Sequence, residues 1–387
     1  MSFLPPLLML LSACTMPLQA DEAIPRLAPG PHMGFIEGFD DLRPGADGIN
    51  RMQIANRLRA EAVAAGMSIA RAQVDWRDLE IAPGVYDQDQ LDETMAWPGR
   101  DGLPLFVTLS TIDISELTLP DYLTGPNGMA RDGLKLDGPE ITTRFHAFLD
   151  WFVPQLEGYN VWGLALGNEV DGLVSDALLP QSEVLNHLRN AMTHSQTLDP
   201  DLAVTVTLTG GANLNVPRFT NRLVDAMDIV SFNTYCLSGS LQVTGPDTWE
   251  STLKRWKRVA GDREIFIQEL GCPVGHGQTG GEHFANAERR ILGSEALQSD
   301  FIEFHMRAFT DDPQLRAATV FQLFDWSPEL ADVFKAPFDA AGEPIVGELL
   351  EEWLATVGLC RWSDATCRPA WETFLTGLGT LQSVRGE

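Results

Sequence analysis

Short apolar runs rich in β-branched residues alternate with amphipathic segments along almost the whole chain, and this alternation constrains the fold more than any other feature. Helical periodicity is clearest over 141–156 and 182–195, and its longest stretch is 287–308. Alternation of this kind indicates parallel strands joined by right-handed crossovers. Strands are predicted over 32–36, 68–74, 104–110, 162–167, 203–209, 228–233, 263–268 and 318–324.

The number of strand–helix units then separates the parallel architectures. Eight units close a barrel, whereas five or six would favour an open doubly wound sheet. No G-x-G-x-x-G turn follows the first strand, which argues against a dinucleotide-binding sheet. We therefore predict an α/β fold consisting of a single (β/α)8 TIM barrel over residues 26–358. Residues 1–25 form a tether before it, and 359–387 form a C-terminal tail.

The charge balance restricts the partners. The chain of 387 residues has 27 Lys and Arg against 54 Asp and Glu, a formal net charge of -27. Binding of nucleic acid or anionic lipid requires clustered basic side chains, so both are excluded as partners. An acidic surface also repels polyanionic substrates, and a neutral ligand is therefore expected.

The N-terminus has the pattern of an export signal. Residues 3–13 form an apolar stretch that is too short to span a bilayer. It ends in Leu-Ser-Ala-Cys, which resembles the lipobox of bacterial lipoproteins with Cys14 as the acylated residue. We expect an exported protein anchored by lipid to the bacterial cell envelope, with no other membrane contact. Cleavage after Ala20 is the alternative, and it would release a periplasmic or secreted protein.

The other cysteines fit an oxidising compartment. Four remain, an even number, at Cys236, Cys272, Cys360 and Cys367. The last two are close enough in sequence to staple the C-terminal tail, and the first two can pair if their loops are neighbours. No CxxC motif or Cys/His cluster indicates zinc, and no metal or organic cofactor is implied.

Polar side chains stand where the predicted strands end, which is where barrel enzymes place their active sites. Strand four ends at Asn168 and Glu169, and strand seven ends at Gln268 and Glu269. The other strand ends add further polar and aromatic groups: Arg71, Gln73 and Asp75 on strand two, Asn233 and Tyr235 after strand six, and Asp325 and Trp326 after strand eight.

Two carboxylates facing each other across a barrel mouth suit the hydrolysis of a glycosidic bond. One protonates the leaving oxygen, and in retaining enzymes the other attacks the anomeric carbon. Their surroundings must separate the two pKa values so that one group stays protonated while the other ionises. In such enzymes the two carboxyl groups lie about 5 to 5.5 Å apart.

These motifs resemble those of clan A glycoside hydrolases, in which an acid/base Glu follows Asn on strand four and a nucleophilic Glu ends strand seven. The matching residues are Glu169 after Asn168, and Glu269 in "IQELG". The segment "WRDLEIAPGVYDQDQLD" (76–92) is similar to the region after strand two in several such families. The resemblance implies that Asn168 binds the sugar 2-hydroxyl and that Tyr235 and Arg71 hold Glu269.

The remaining candidate site residues are expected to have different roles. Trp326 is predicted to bind substrate, because aromatic rings cover the apolar faces of sugars, whereas Trp76 is as readily a core residue. Asp75 and Asp113 are expected to be solvated loop carboxylates, and His276 and His283 ordinary loop residues. Strand three offers no imidazole at its end, although some clan A families place one near there.

The sequence thus predicts a retaining glycosidase that cleaves a β-glycosidic bond in a neutral oligo- or polysaccharide by double displacement. A surface glycan-binding lipoprotein that kept the barrel cleft without turnover is the alternative from another class. A transglycosylase is a third, because it differs only in whether water or sugar takes the intermediate. The sugar and the linkage are not determined by these patterns.

Overall fold

The computed structural model of the protein describes residues 27–38, 47–239, 241–275 and 291–386. The predicted export signal, Cys14, His276 and His283 lie outside the described residues. Strands follow in chain order as β1 (His32–Phe35), β2 (Ala70–Asp75), β3 (Glu80–Ala82), β4 (Val85–Tyr86), β5 (Leu105–Ser110), β6 (Ile112–Asp113), β7 (Glu116–Leu117), β8 (Val161–Ala165), β9 (Ala203–Thr205), β10 (Thr207–Thr209), β11 (Val230–Tyr235), β12 (Ile265–Gly271) and β13 (Leu315–Val320).

Helices lie between and after these strands. In chain order they are α1 (Arg51–Ala64), α2 (Trp76–Leu79), α3 (Gln88–Gly99), α4 (Pro139–Gln155), α5 (Gly172–Ser175), α6 (Gln181–Leu198), α7 (Ala212–Asn215), α8 (Pro217–Val224), α9 (Pro246–Ala260), α10 (Glu295–Asp311), α11 (Pro328–Ala340), α12 (Pro344–Leu354) and α13 (Pro369–Arg385). No helix in the described part of the chain is both long and apolar enough to cross a membrane.

The long strands form two parallel sheets, ordered β1-β13-β12-β11-β10 and β2-β5-β8-β9. The predicted fifth strand is split into β9 and β10 at Val206, and each half joins a different sheet. At the opposite seam, β1 and β2 are neighbours, and the Ser68 amide donates to the Met33 carbonyl at 3.1 Å. The fold is the predicted α/β barrel, although its hydrogen-bond ladder is not closed in the described residues.

Side chains from opposite strands fill the barrel interior in layers, as is usual for this architecture. Phe106 of β5 and Phe266 of β12 meet with ring centroids 4.4 Å apart, and Trp162 packs against both. Two residues further along the same strands, Thr108 and Gln268 are hydrogen-bonded to each other. An apolar layer therefore closes the bottom of the barrel, and a polar layer lies above it, toward the carboxyl ends of the strands.

The surrounding helices follow from local sequence rules. Helix α4 starts with Pro139 in its first turn, where the missing N–H is not needed. Its buried residues Ile141, Phe145, Phe148 and Phe152 recur every three or four positions and face the barrel. Burying each such side chain contributes about 1.5 to 3 kcal/mol.

Several predicted boundaries are wrong by a few residues. Strand seven continues through Glu269 to Gly271, and strand eight ends at Val320 rather than at 324. The helix predicted to begin at 287 begins at Glu295, because the Ser294 side chain caps it by accepting from the Leu297 amide. Residues 287–290 lie outside the described residues.

The segment after residue 358 packs against the barrel instead of trailing from it. Rings of Trp371 and Phe374 on α13 lie 6.0 Å from that of Phe35 on β1. Arg368 forms a buried ion pair with Asp325 at 2.7 Å. A disulfide joins Cys360 to Cys367, and we name it the C-terminal disulfide. The strand-end disulfide, between Cys236 and Cys272, links the ends of β11 and β12.

Candidate active site

A β-bulge at Gln268 aims Glu269 into the barrel mouth. On the neighbouring strand β11, Phe232 pairs with Ile267, whereas Asn233 pairs with Glu269, so that Gln268 is the extra residue. Bulges re-aim side chains beside active sites. As a result two consecutive residues point inward. Gln268 accepts a hydrogen bond from Thr108 at 2.9 Å, and Glu269 reaches the cleft above it.

Two strong donors hold the Glu269 carboxylate. Arg71 Nη1 donates to Oε1 at 3.0 Å, and the Tyr235 hydroxyl donates to Oε2 at 2.6 Å. The Arg71 guanidinium is itself fixed by Thr108 at 3.3 Å and by Gln73 at 2.7 Å. Charge-assisted bonds of this kind are about twice as strong as neutral ones. The structure therefore brings together three predicted site residues in a geometry that orients Glu269.

Burial favours the protonated form of the Tyr235 hydroxyl. Tyr235 is half-buried, and the negative charges of Glu269 and Glu169 add to the effect of burial, so the pKa of Tyr235 lies well above its usual value. At neutral pH the Tyr235 hydroxyl therefore keeps its proton and donates it to the carboxylate in a hydrogen bond. Tyr235 thus acts as a fixed donor.

Glu169 lies directly after β8, in a loop held on both sides by backbone hydrogen bonds. The Asn168 amide donates to Ile112 at 2.9 Å, and the Val170 amide donates to Thr207 at 3.1 Å. Between them Glu169 adopts a left-handed backbone conformation with φ of 47°. Such a conformation is uncommon for a residue with a side chain, costs of order 1 to 3 kcal/mol and is typical of functional sites.

The surroundings of Glu169 keep it protonated at neutral pH. Burial raises its pKa to about 8, and the negative charge of Glu269 adds to this shift. A hydrogen bond from Asn233 Nδ2 to Glu169 Oε1, at 3.0 Å, opposes the shift without cancelling it. Glu269 in turn accepts its two hydrogen bonds from Arg71 and Tyr235. The two carboxyl groups thus stand in different electrostatic surroundings.

The nitrogen and the oxygen of the Asn168 side-chain amide are each hydrogen-bonded to another side chain. Its Nδ2 donates to Asp113 Oδ1 at 3.0 Å, and its Oδ1 accepts from Asn233 Nδ2 at 3.0 Å. The expectation that Asp113 is a solvated loop carboxylate is therefore wrong, because Asp113 is half-buried beside Asn168 and also accepts from Gln73 at 3.1 Å. Burial raises the pKa of Asp113, the Asn168 bond opposes this, and the charge of Glu269 adds to it.

Asp75, for which solvation was also expected, is half-buried in the structure. It is paired with Arg77 at 3.0 Å, and burial raises its pKa to about 7. Trp76, next in sequence, is fully buried in the core and donates to Glu80 at 2.7 Å. Neither residue touches the carboxylate pair through any contact in the described chain.

Aromatic rings line one side of the site. The Tyr235 ring meets Trp353 of α12 edge-on with centroids 4.6 Å apart, and it lies 5.8 Å from Phe321. Trp326, predicted to bind substrate, packs against Phe334 at 4.5 Å and lies 6.4 Å from Phe321. The sequence did not identify Trp353 as a site residue, because a tryptophan in an amphipathic helix is usually part of the core.

Two cavities are lined by residues of the site. One, of about 470 Å³, is lined by Glu169, Tyr235 and Trp353 together with the loops after β10 and β11. Another, of about 460 Å³, is lined by Arg71 and Gln73 with the ends of β1 and β2. In the described residues, no group of three or more His, Cys, Asp or Glu side chains is arranged to hold a metal ion.

No protein-family model matches the chain, and no curated protein matches its sequence. Solved structures do match it. A GH5_18 protein from Streptomyces cattleya in complex with GlcNAc is 16% identical, with a TM-score of 0.60, and the match covers 92% of this chain and 81% of that one. A GH5_18 variant from Bifidobacterium longum in complex with Manb1-4GlcNAc is 16% identical, with a TM-score of 0.62 and coverages of 90% and 77%.

The exo-beta-1,4-mannosidase Op5Man5 from Opitutaceae bacterium strain TAV5 is 14% identical, with a TM-score of 0.64. That match covers 93% of this chain and 61% of the mannosidase. At these identities the likeness establishes the architecture. The chain has the fold of TIM-barrel glycoside hydrolases.

Proposed function

We propose that the protein is a retaining glycoside hydrolase that cleaves a β-glycosidic bond in a neutral oligo- or polysaccharide. The observation that carries the proposal is a pair of glutamates at the ends of strands four and seven in opposite electrostatic surroundings. Glu169 is kept protonated by burial and by its neighbour, and Glu269 is held by a cation and a hydroxyl. A double displacement requires this combination.

In the first step Glu269 attacks the anomeric carbon while Glu169 gives its proton to the leaving oxygen. The glycosidic bond breaks, and the sugar is left as an ester on Glu269. In the second step Glu169, now ionised, takes a proton from water, whose oxygen attacks the anomeric carbon and releases Glu269. Both groups return to their starting states, and the product keeps the configuration of the substrate.

The residues around the pair support these steps. Tyr235 and Arg71 fix the attacking oxygen atoms of Glu269 and prevent their rotation away from the sugar. One N–H of Asn168 Nδ2 is committed to Asp113, and the second is free to meet the sugar 2-hydroxyl. Trp326 and Trp353 are proposed to cover apolar sugar faces.

The structural neighbours suggest which glycosides to test first. Among them are an exo-beta-1,4-mannosidase and GH5_18 proteins in complex with GlcNAc and with Manb1-4GlcNAc. A β-mannoside is therefore the first candidate substrate, followed by other neutral β-glycosides. Export and lipid anchoring at Cys14 are proposed as well, which would place the enzyme where external glycans reach it.

Chemical rescue tests the assignment of the two glutamates. In Glu269→Gly a cavity replaces the nucleophile, and azide should restore turnover of an aryl β-glycoside with inverted configuration. In Glu169→Ala the nucleophile remains, so azide should restore turnover with retained configuration. Each unrescued variant should be slower than the unmodified protein by about 10²-fold or more.

Three outcomes would contradict the proposal. Binding of glycans without cleavage across a broad panel would favour a glycan-binding protein, and full activity of both variants would remove the catalytic assignment. Transfer to sugar acceptors in place of water would indicate a transglycosylase. A crystal structure adds a geometric test, since a carboxyl separation of about 5 to 5.5 Å is expected for retention and about 6.5 to 9.5 Å for inversion.

A further inference from the structure

A chain of side-chain hydrogen bonds runs from the end of strand two to Glu169. Gln73 Nε2 donates to Asp113 Oδ2, and Asn168 Nδ2 donates to Asp113 Oδ1. Asn233 Nδ2 then donates both to Asn168 Oδ1 and to Glu169 Oε1, each at 3.0 Å. The chain crosses four different strand ends and finishes on the oxygen of the proposed acid/base.

The backbone fixes Asp113 and Asn168 as neighbours. The two residues form a parallel bridge, in which the Asn168 amide donates to Ile112 and the Ile114 amide donates to Asn168, both at 2.9 Å. Residue 113 also pairs with Glu116 across the short hairpin of β6 and β7. This backbone pairing therefore holds the side chains of Asp113 and Asn168 next to each other.

The direction of the hydrogen bonds from Asn168 onward depends on Asp113. An ionised carboxylate only accepts hydrogen bonds, so Asn168 must turn its nitrogen toward Asp113 and its oxygen toward Asn233. Asn233 must then present its nitrogen to Asn168, and the same nitrogen faces Glu169. If the side-chain amide of Asn168 could rotate by 180°, that of Asn233 could rotate with it. The amide oxygen of Asn233, in place of its nitrogen, could then face Glu169.

We propose that Asp113 is a positioning residue, which sets the orientation of Asn168 and, through Asn233, the hydrogen-bond donor that Glu169 meets. This inference rests on the proposed role of Glu169 as acid/base. Asp113 occupies the end of strand three, where the sequence shows no imidazole, and it acts on the reaction without touching the reacting atoms.

A pair of variants separates hydrogen bonding from charge. Asp113→Ala removes both the negative charge and the acceptor for Asn168. Asp113→Asn removes the same charge but keeps one acceptor oxygen for Asn168, and its new amide nitrogen lies on the side of the exposed Gln73 side chain. With a cleaved aryl β-glycoside, kcat/KM should fall about 10- to 100-fold in Asp113→Ala, the loss expected when a reacting group is displaced by about 1 Å. Asp113→Asn should recover most of that loss.

The pH profile provides a second comparison. The charged groups that raise the pKa of Glu169 are Glu269, Asp171 and Asp113. Both Asp113 variants lose one of these charges, so the high-pH limb of kcat/KM should move to lower pH by the same amount in each. Glu116→Gln is the matched control, because it neutralises the hairpin partner of Asp113 without touching Asn168, and its rate should match that of the unmodified protein.

A readout that is independent of turnover keeps this inference separate from the proposed function. In ¹⁵N NMR spectra, the Asn168 side-chain amide, assigned by its loss in Asn168→Ser, should shift in Asp113→Ala and stay in place in Asp113→Asn. Unchanged Asn168 signals in Asp113→Ala, or equal rates in the two Asp113 variants, would overturn the inference. If Glu169 and Glu269 variants keep full activity, the proposed function fails, while the NMR result still decides whether Asp113 orients Asn168.

Discussion

Replacing Glu269 by Gln should lower the pKa of Glu169 and thereby test the coupling on which the mechanism depends. Burial is the main cause of the raised pKa of Glu169, and the negative charge of Glu269 is the next largest. Glutamine keeps the size of the side chain and removes only its charge. Whatever part of the shift comes from Glu269 should disappear, and the part that comes from burial should remain.

The size of the effect follows from Coulomb's law. At a carboxyl separation of about 5.5 Å and an effective dielectric constant of about 20, two unit charges repel by about 3 kcal/mol. One pKa unit corresponds to about 1.4 kcal/mol, so the expected shift is about 2 units. The pKa of Glu169, about 8 in the unmodified protein, should therefore fall to about 6 in the variant.

The pKa is measured by ¹³C NMR on protein labelled at the glutamate side-chain carboxyl carbon, with the Glu169 signal assigned by its loss in Glu169→Gln. Glu61→Gln, a change at the half-exposed partner of Arg57 on α1, is the control and should leave the titration unchanged. A Glu169 pKa that stays near 8 or rises in Glu269→Gln would refute the reasoning. A fall would support the proposed mechanism, in which esterification of Glu269 removes the same charge and allows Glu169 to act as a base.

Four further predictions concern other parts of the molecule. Burial lowers the pKa of His187 to about 4 from 6.5, so the free energy of unfolding should decrease by about 3 kcal/mol as the pH falls between these two values. His187→Gln should flatten this pH dependence, as measured by urea unfolding. Replacing the strand-end disulfide, which closes a loop of 36 residues, by two serines should lower the free energy of unfolding by about 4 kcal/mol and slow turnover. The same replacement of the C-terminal disulfide, which closes a loop of 7 residues, should lower it by about 2 kcal/mol and leave turnover unchanged. Tyr235→Phe should lower kcat/KM by about 10- to 100-fold, since a hydrogen bond to a charged group contributes about 1.5 to 3 kcal/mol. Cys14→Ala should move the protein from the membrane to the soluble fraction, and unchanged fractionation would favour cleavage after Ala20.

The barrel was predictable because its signal is periodic and repeated. Each strand is a short apolar run with a helix behind it, and the count of eight does not depend on the boundary of any single one. The two glutamates were predictable for a related reason, since a polar residue that ends an apolar strand lies at the barrel mouth whether the end is placed one residue early or late. Errors at the ends of strands seven and eight therefore left Glu269 in the right region.

The partners of these glutamates required information that no local pattern contains. Strict alternation would put Gln268 and Glu269 on opposite faces of β12, and only the bulge against β11 turns both inward. Asp113 looked like a loop carboxylate because it follows the predicted end of strand three, whereas its real partners, Gln73 and Asn168, are 40 and 55 residues away. Contacts of that kind are set by the register between strands.

The protonation of the two glutamates emerges only when all of these placements are combined. In the sequence Glu169 and Glu269 are equivalent carboxyls at equivalent strand ends. The fold makes them different by giving Glu269 a hydroxyl donor and the only guanidinium that either of them contacts in the described chain, and by giving Glu169 a single neutral donor. In the proposed mechanism, the roles of acid and nucleophile thus depend on which strands lie beside each carboxyl. For the same reason, changes at Asp113 or Tyr235, which leave both glutamates in place, should alter the reaction through the surroundings alone.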